Sequence, residues 1–209
     1  MKKIYFRLVV LLSFFYVLSY GKEIIIPKLT QEPRFDKKFL AADWTEFNNF
    51  ELKIKDGRVP QHSSKVYIAY NDMALYFAFI CNETGIPKVT YKNHEEYDNN
   101  IWDDDCVDLS IDPFGNSRIF KIIVNSAGIA YDDFDSDSNW NSNLTAAAHS
   151  SENNWELYLR IPFTEFGVKP KGGELWQMNI GRIRVADREQ SSISGARGKF
   201  SDDLQEFRF

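Results

Sequence analysis

Residues that catalysis and metal binding depend on are scarce in this chain. Among its 209 residues are three His, two Cys and three Met. His62, His94 and His149 each lie in a polar stretch, and no two stand at the spacing of a zinc-ligand pair. No Gly-x-Ser-x-Gly elbow occurs, and neither Cys has the His signature of a thiol nucleophile, so a nucleophilic triad is poorly supported. There is no glycine-rich loop to cradle phosphate. Internal repeats, low-complexity linkers and long amphipathic helical patterns are absent as well. Positive charge is also short, with 25 Lys and Arg against 30 Asp and Glu, a net charge of −5. An acidic surface argues against nucleic acid and against anionic membrane as partners.

The apolar run Leu8–Leu18 is shorter than the roughly 20 residues of a membrane span. It follows the charged Met1-Lys2-Lys3 and precedes the small residues of Ser19-Tyr20-Gly21. That order is a secretory signal peptide over residues 1–21. Its removal takes away Lys2, Lys3 and Arg7, bringing the charge of the remainder to −8. Residues 22–209 then form one domain of ordinary size, expected to be secreted, periplasmic or on the cell surface, with no membrane insertion. In an exported chain the even pair Cys81 and Cys106 permits one disulfide; the alternative is two buried thiols packing as small apolar residues.

Aromatics are plentiful, at 15% of the chain. Alternating apolar and polar residues mark strands at Lys65–Tyr70, Leu75–Cys81, Val107–Ile111, Ser117–Asn125, Trp155–Ile161 and Leu175–Arg184. Asn71-Asp72 turns the first of these into the second. Glu23–Leu29, interrupted by Pro27, is an edge strand or an extended arm. Residues 35–50 form an irregular segment that packs Trp44 into the core. Ile129–Tyr131, Thr145–His149 and Gln205–Phe209 add shorter strands, and Phe163–Phe166 a single helical turn. Short strands at hairpin spacing predict an all-β, antiparallel, jelly-roll-like β-sandwich.

The stretch 101–115 (Ile-Trp-Asp-Asp-Asp-Cys-Val-Asp-Leu-Ser-Ile-Asp-Pro-Phe-Gly) concentrates the chemistry. Val107, Leu109 and Ile111 share one face of its strand, while Asp108 falls on the polar face and Trp102 on the same parity upstream. An exposed indole stacks on the C–H face of a pyranose, and neighbouring carboxylates, amides and Arg bond its hydroxyls. Trp140, set among Asp, Asn and Ser, is a second candidate of this kind. Glycoside hydrolysis needs two carboxyls at a fixed separation across a cleft, which a sandwich without large insertions rarely builds. The chain is therefore not expected to be an enzyme. Asp132, Asp133, Asp135 and Asp137 could offer loop oxygens to a structural Ca²⁺, without the pattern of a helix-loop-helix site. The alternative is a solvated acidic loop.

The order of these features resembles the family 9 carbohydrate-binding modules and their DOMON-like sandwich relatives. Phe35-Asp36 with Asp43-Trp44 is similar to the family's opening "Ile-Asp-Gly … Trp", with Lys37 where Gly is usual. Val66–Phe79 is similar to its strand, Asp turn and "Leu-Tyr-Val-Ala" strand. Trp102–Pro113 is similar to "Trp-x-x-Asp-Ser-Val-Glu-Ile-Phe-Ile-Asp", and Ile123–Gly128 to "Val-Asn-x-x-Gly". Trp155–Pro162 is similar to "Trp-x-x-Glu-x-Ala-Ile-Pro", with Tyr158 where Glu is usual, and Met178–Arg182 to "Asn-Phe-x-Arg". The resemblance implies non-catalytic sugar binding between two Trp side chains, with a carboxylate and polar groups on the hydroxyls, and structural Ca²⁺. It assigns ligand contacts to Trp102, Asp108, Asn125 and Arg182. The second Trp is expected near Ser194–Phe200, where none occurs, so Trp140 or Phe200 is left to substitute, and the Arg that precedes "Val-Asn" is Ile123 here. Two alternatives accompany this reading. One is a haem-binding electron-transfer domain, since DOMON relatives bind haem; it would need an axial pair such as Met73 and His149. The other is a surface structural protein without a small ligand.

Overall fold

Period-2 alternation along the chain resolves into two facing sheets. The computed structural model describes residues 23–34, 44, 46–90, 100–195 and 198–209. The signal segment 1–21, Phe35-Asp36, Asp43 and His94 lie outside the described residues. The strands are β1 (Ile24–Ile25), β2 (Asn48–Glu51), β3 (Ser64–Tyr70), β4 (Ala74–Asn82), β5 (Cys106–Asp112) and β6 (Phe120–Asn125). They continue with β7 (Ala130–Phe134), β8 (Thr145–Ser150), β9 (Asn154–Pro162), β10 (Leu175–Arg184), β11 (Glu189–Ser192) and β12 (Gln205–Arg208). One short helix, α1 (Phe163–Phe166), follows β9 and is closed by Gly167 at φ 65°, a left-handed position where glycine is favoured.

One sheet runs β1-β12-β10-β5-β6-β7, with β11 also paired to β10; the other runs β2-β3-β4-β9-β8. All strand pairs are antiparallel except β1 with β12. This is the expected antiparallel β-sandwich. Asn71 Oδ1 tightens the β3–β4 hairpin by accepting from the amides of Met73 and Ala74, at 2.8 and 3.0 Å. Two strands lack sequence signals. β11 (Glu-Gln-Ser-Ser) carries no apolar alternation and is held by backbone pairing to β10. β2 packs only Phe50 against the core.

Between the sheets, Val66, Ile68, Phe77, Phe79, Leu109, Ile122, Leu157, Trp155, Trp176 and Phe207 are buried in one cluster. Trp44 is buried too, but on the outer side of the five-stranded sheet, with Phe47, Tyr67 and Tyr158. Among the described residues no helix is long and apolar enough to cross a membrane.

The structure corrects the disulfide. Both cysteines are free and buried. Cys81 points between the sheets from β4, whereas Cys106 lies on the outer face of β5, beside Ile101, Ile123 and Ile129. The two thiols sit on opposite sides of the seven-stranded sheet and cannot bridge. Burial raises the pKa of both, Cys106 well above the ordinary value, so neither is a thiolate nucleophile.

Candidate functional site

The acids of stretch 101–115 divide by what they bond. Asp104 accepts from the Thr90 amide at 2.6 Å and from Asn125 Nδ2 at 3.0 Å. Asp105 accepts from the amides of Lys88 and Val185, at 2.5 and 2.8 Å. Asp112 holds the following turn through the amides of Phe114, Gly115 and Ser117. These carboxylates are consumed in fastening loops. Asp108 is different. Its Oδ2 lies 3.5 Å from Lys121 Nζ, while its Oδ1 and the neighbouring Ser110 hydroxyl are buried and make no well-aligned hydrogen bond, the Ser110 hydroxyl lying near enough to favour the carboxylate. Burial pushes the Asp108 carboxyl up from the usual value, with Lys121 opposing and Asp133 adding to the rise.

Strand register places this group. Across the outer face of the seven-stranded sheet runs the row Gly181–Asp108–Ile123–Tyr131, and beside it Asn179–Ser110–Lys121–Asp133. The turn 101–103 lies over β6, and the turn 200–202 over β5 and β10, with Asp108 between them. Ile101 plugs the first turn onto Ile123. That turn holds Trp102 at 41% exposure, edge-on to Tyr131 with ring centroids 6.3 Å apart. The Tyr131 hydroxyl pKa is pushed up to about 12 by burial and by Asp133. From the other side Phe200 covers Gly181, anchored by Asn179 Nδ2, which donates to the Phe200 carbonyl at 2.9 Å. The arrangement sets an exposed indole on the same face as a buried acceptor and a buried hydroxyl.

Trp102 and Asp108 thus share one face; Asn125 lies on it too, opposite Cys106 at the end of β6, whereas Trp140 and Arg182 lie elsewhere. Asn125 is occupied: its Oδ1 accepts from Ala127 and Ile129, and its Nδ2 donates to Asp104. Trp140 packs at 5.2 Å against Phe120 at the margin of the core. Arg182 points between the sheets, where it bonds the carbonyls of His62 and Asn82, the Ser64 hydroxyl and Glu83. Its parity with Trp176, Met178 and Ile180 is the signal for that inward direction. Tyr131 and Lys121 join the site without having been expected. Their face becomes known only from the pairing of β5, β6 and β7.

The haem pair does not assemble. Met73 precedes Ala74, which pairs with Pro162, and His149 pairs with Glu156; six residues of β9 separate those positions by about 20 Å. The acids of the 132–137 loop also part company. Asp132 bonds Ser142, Asp133 the Ser136 amide, Asp135 Arg118 and Asp137 Asn139. Among the described residues no three His, Cys, Asp or Glu side chains converge as a metal site.

No protein-family model and no curated protein matches the sequence. Solved structures do match the fold. A family 9 carbohydrate-binding module from Caldicellulosiruptor kristjanssonii in complex with cellotriose superposes with a TM-score of 0.69 at 14% identity, covering 90% of this chain and 93% of that one. A family 9 module from the same organism in complex with glucose gives 0.66 at 13%, covering 90% and 95%. A Bacteroides uniformis protein gives 0.68 at 15%, covering 90% and 99%. This chain has the family 9 sandwich fold.

Within the family 9 fold, the segment where a second Trp is expected supplies Phe200 instead, seated on glycine. A Cβ at position 181 would stand 2.4 Å from the Phe200 ring. Gly181→Ala therefore has to lift a buried ring and the turn carrying it. We expect a loss of about 1–3 kcal/mol from overpacking, measured by urea denaturation. An unchanged midpoint would mean that the ring yields freely.

Proposed function

We propose that the protein binds carbohydrate without transforming it, on the outer face of the seven-stranded sheet, with Trp102 stacking on the sugar and Asp108 accepting from its hydroxyls. The observation that carries this reading is the buried Asp108 Oδ1, without a well-aligned hydrogen bond, on the face that presents an exposed Trp. A buried acceptor without a well-aligned donor is costly in the free protein, and a ligand hydroxyl relieves that cost. The solved family 9 modules of the same fold, in complex with cellotriose and with glucose, support the ligand class. The signal-like residues 1–21 support a role outside the cytoplasm.

Titration calorimetry with cello- and xylo-oligosaccharides tests the reading, following a screen on a glycan array. Trp102→Ala is expected to weaken binding about tenfold or more, as removal of a central aromatic anchor does, while leaving the melting temperature near that of the wild type. A wild-type protein that binds no glycan on the array sinks the proposal.

A further inference from the structure

A second concave site lies where the β2 and β11 edges of the two sheets are joined by the Lys53–Ser192 bridge. It is a groove of about 310 Å³ between the β2–β3 connection and the β10–β11 turn, within the size range of pockets that take small organic ligands. Lys55, Arg58 and Arg188 line it. None of the three has a carboxylate partner among the described residues. The two acids in the lining are already engaged: Asp187 bonds Arg184 at 2.7 Å and the Glu189 amide at 3.2 Å, and Glu189 accepts from the Gln61 amide at 3.1 Å. Three exposed cations therefore converge on a protein whose net charge is −5.

The backbone adds a separate observation. Arg188 sits at φ 57°, in the left-handed region, at the tip of a tight turn closed by its own amide on the Val185 carbonyl. Glycine fits such a position without strain and a long side chain does not. A strained residue carrying a guanidinium into a groove points to a use for that guanidinium. Gln190 Oε1 accepts from the Gly198 amide, which leaves the Gln190 amino group, like the Gln61 side chain, for hydroxyls.

We propose that this groove binds the acidic substituent of a glycan, a uronate carboxylate or a sulfate ester, with Arg58 and Arg188 as its principal contacts. The fork of a guanidinium matches either anion. The glycan part of the assignment rests on the carbohydrate reading above, and the anion part does not. β11 lies two strand intervals, about 10 Å, from Asp108 on β5, and no residue of the Trp102 and Asp108 face lines the groove, so this is a second site and not an extension of the first.

Titration calorimetry of the full chain at low ionic strength, with trigalacturonate, a sulfated neutral trisaccharide and cellotriose, tests it. Trigalacturonate or the sulfated trisaccharide is expected to bind, and the stronger of the two identifies the substituent. Arg58→Ala and Arg188→Gly should each weaken that binding about tenfold or more. Added salt should weaken it too, because the charges are exposed. Arg188→Gly should melt no lower than wild type, since glycine accepts the same φ, so its loss of binding cannot be a loss of fold. Binding of neither anion, or binding unaltered in both variants, overturns the proposal. Neutral glycans keep the two sites apart: a protein that binds neither cellotriose nor any neutral glycan of the array, with anion binding still dependent on Arg58, discards the Trp102 reading and leaves the groove standing.

Discussion

Glu83→Gln is expected to destabilise the fold by about 3–5 kcal/mol, the usual cost of removing one partner from a buried ion pair. Glu83 ends β4's run into the loop and is 6% exposed. Its carboxylate takes Arg182 Nη2 at 2.9 Å and Arg184 Nε at 2.9 Å, with Arg184 Nη2 closing the pair. Arg182 also lies 5.7 Å from the Trp155 ring. Without the charge of Glu83, one guanidinium remains sealed between the sheets with no anion, and Arg184 keeps only Asp187. For a domain of this size the loss lowers the melting temperature by about 10 °C or more.

Burial alone would push the Glu83 carboxyl up, but the Arg184 hydrogen bond and the Arg182 charge prevail and hold it below the ordinary value. A depressed carboxyl contributes stability above its unfolded pKa and loses it as the pH falls through the folded one. The wild type should therefore lose stability below about pH 4.5, and Glu83→Gln should lack that part of the acid limb. Denaturant titrations across pH measure both, and a cost under 1 kcal/mol would refute the account. Replacing Glu83, Arg182 and Arg184 together with apolar residues of similar volume should recover much of the loss.

Asp108→Asn is expected to abolish detectable sugar binding while leaving the protein as stable or stabler. The substitution removes a buried charge whose Oδ1 makes no well-aligned hydrogen bond, a group that costs about 1–3 kcal/mol to leave unsatisfied. The charges facing it are Lys121 at 3.5 Å, and Asp133 across Lys121. A raised carboxyl costs stability when ionised, and that cost fades as the pH falls through the folded pKa. Binding should move the opposite way. It needs the carboxylate as an acceptor and should weaken at a mildly acidic pH above the ordinary 3.8. Calorimetric affinity and melting temperature for wild type and variant, taken between pH 4 and 7.5, decide the matter. A variant that melts lower and still binds sugar would remove Asp108 from the site.

Much of the sandwich can be read from period-2 alternation, because half-buried strands have no other way to segregate their faces. β11 escapes that reading since it buries almost no apolar surface and depends on its neighbour's backbone. The same parity that placed Asp108 outward places Arg182 inward with Met178 and Ile180, so its interior role could be read from the strand. Asn125 opens the turn Asn-Ser-Ala-Gly, where Asn folds back on its own backbone, which is a local reason to expect a structural role. Trp140 misled because its sequence neighbours are polar, whereas its packing partner, Phe120, arrives from a distant strand. Tyr131, Lys121 and the Phe200–Gly181 contact depend on register and on a loop crossing the sheet, and neither is written in local pattern.

Cys81 is sealed between the sheets and Cys106 lies under Ile101, so the sandwich has no covalent staple and needs none. Its assembly asks nothing of an oxidising folding pathway. A chain expected to work outside the cytoplasm would thus reach the same native state in a reducing cytosol, and would keep it wherever glutathione or oxygen sets the poise.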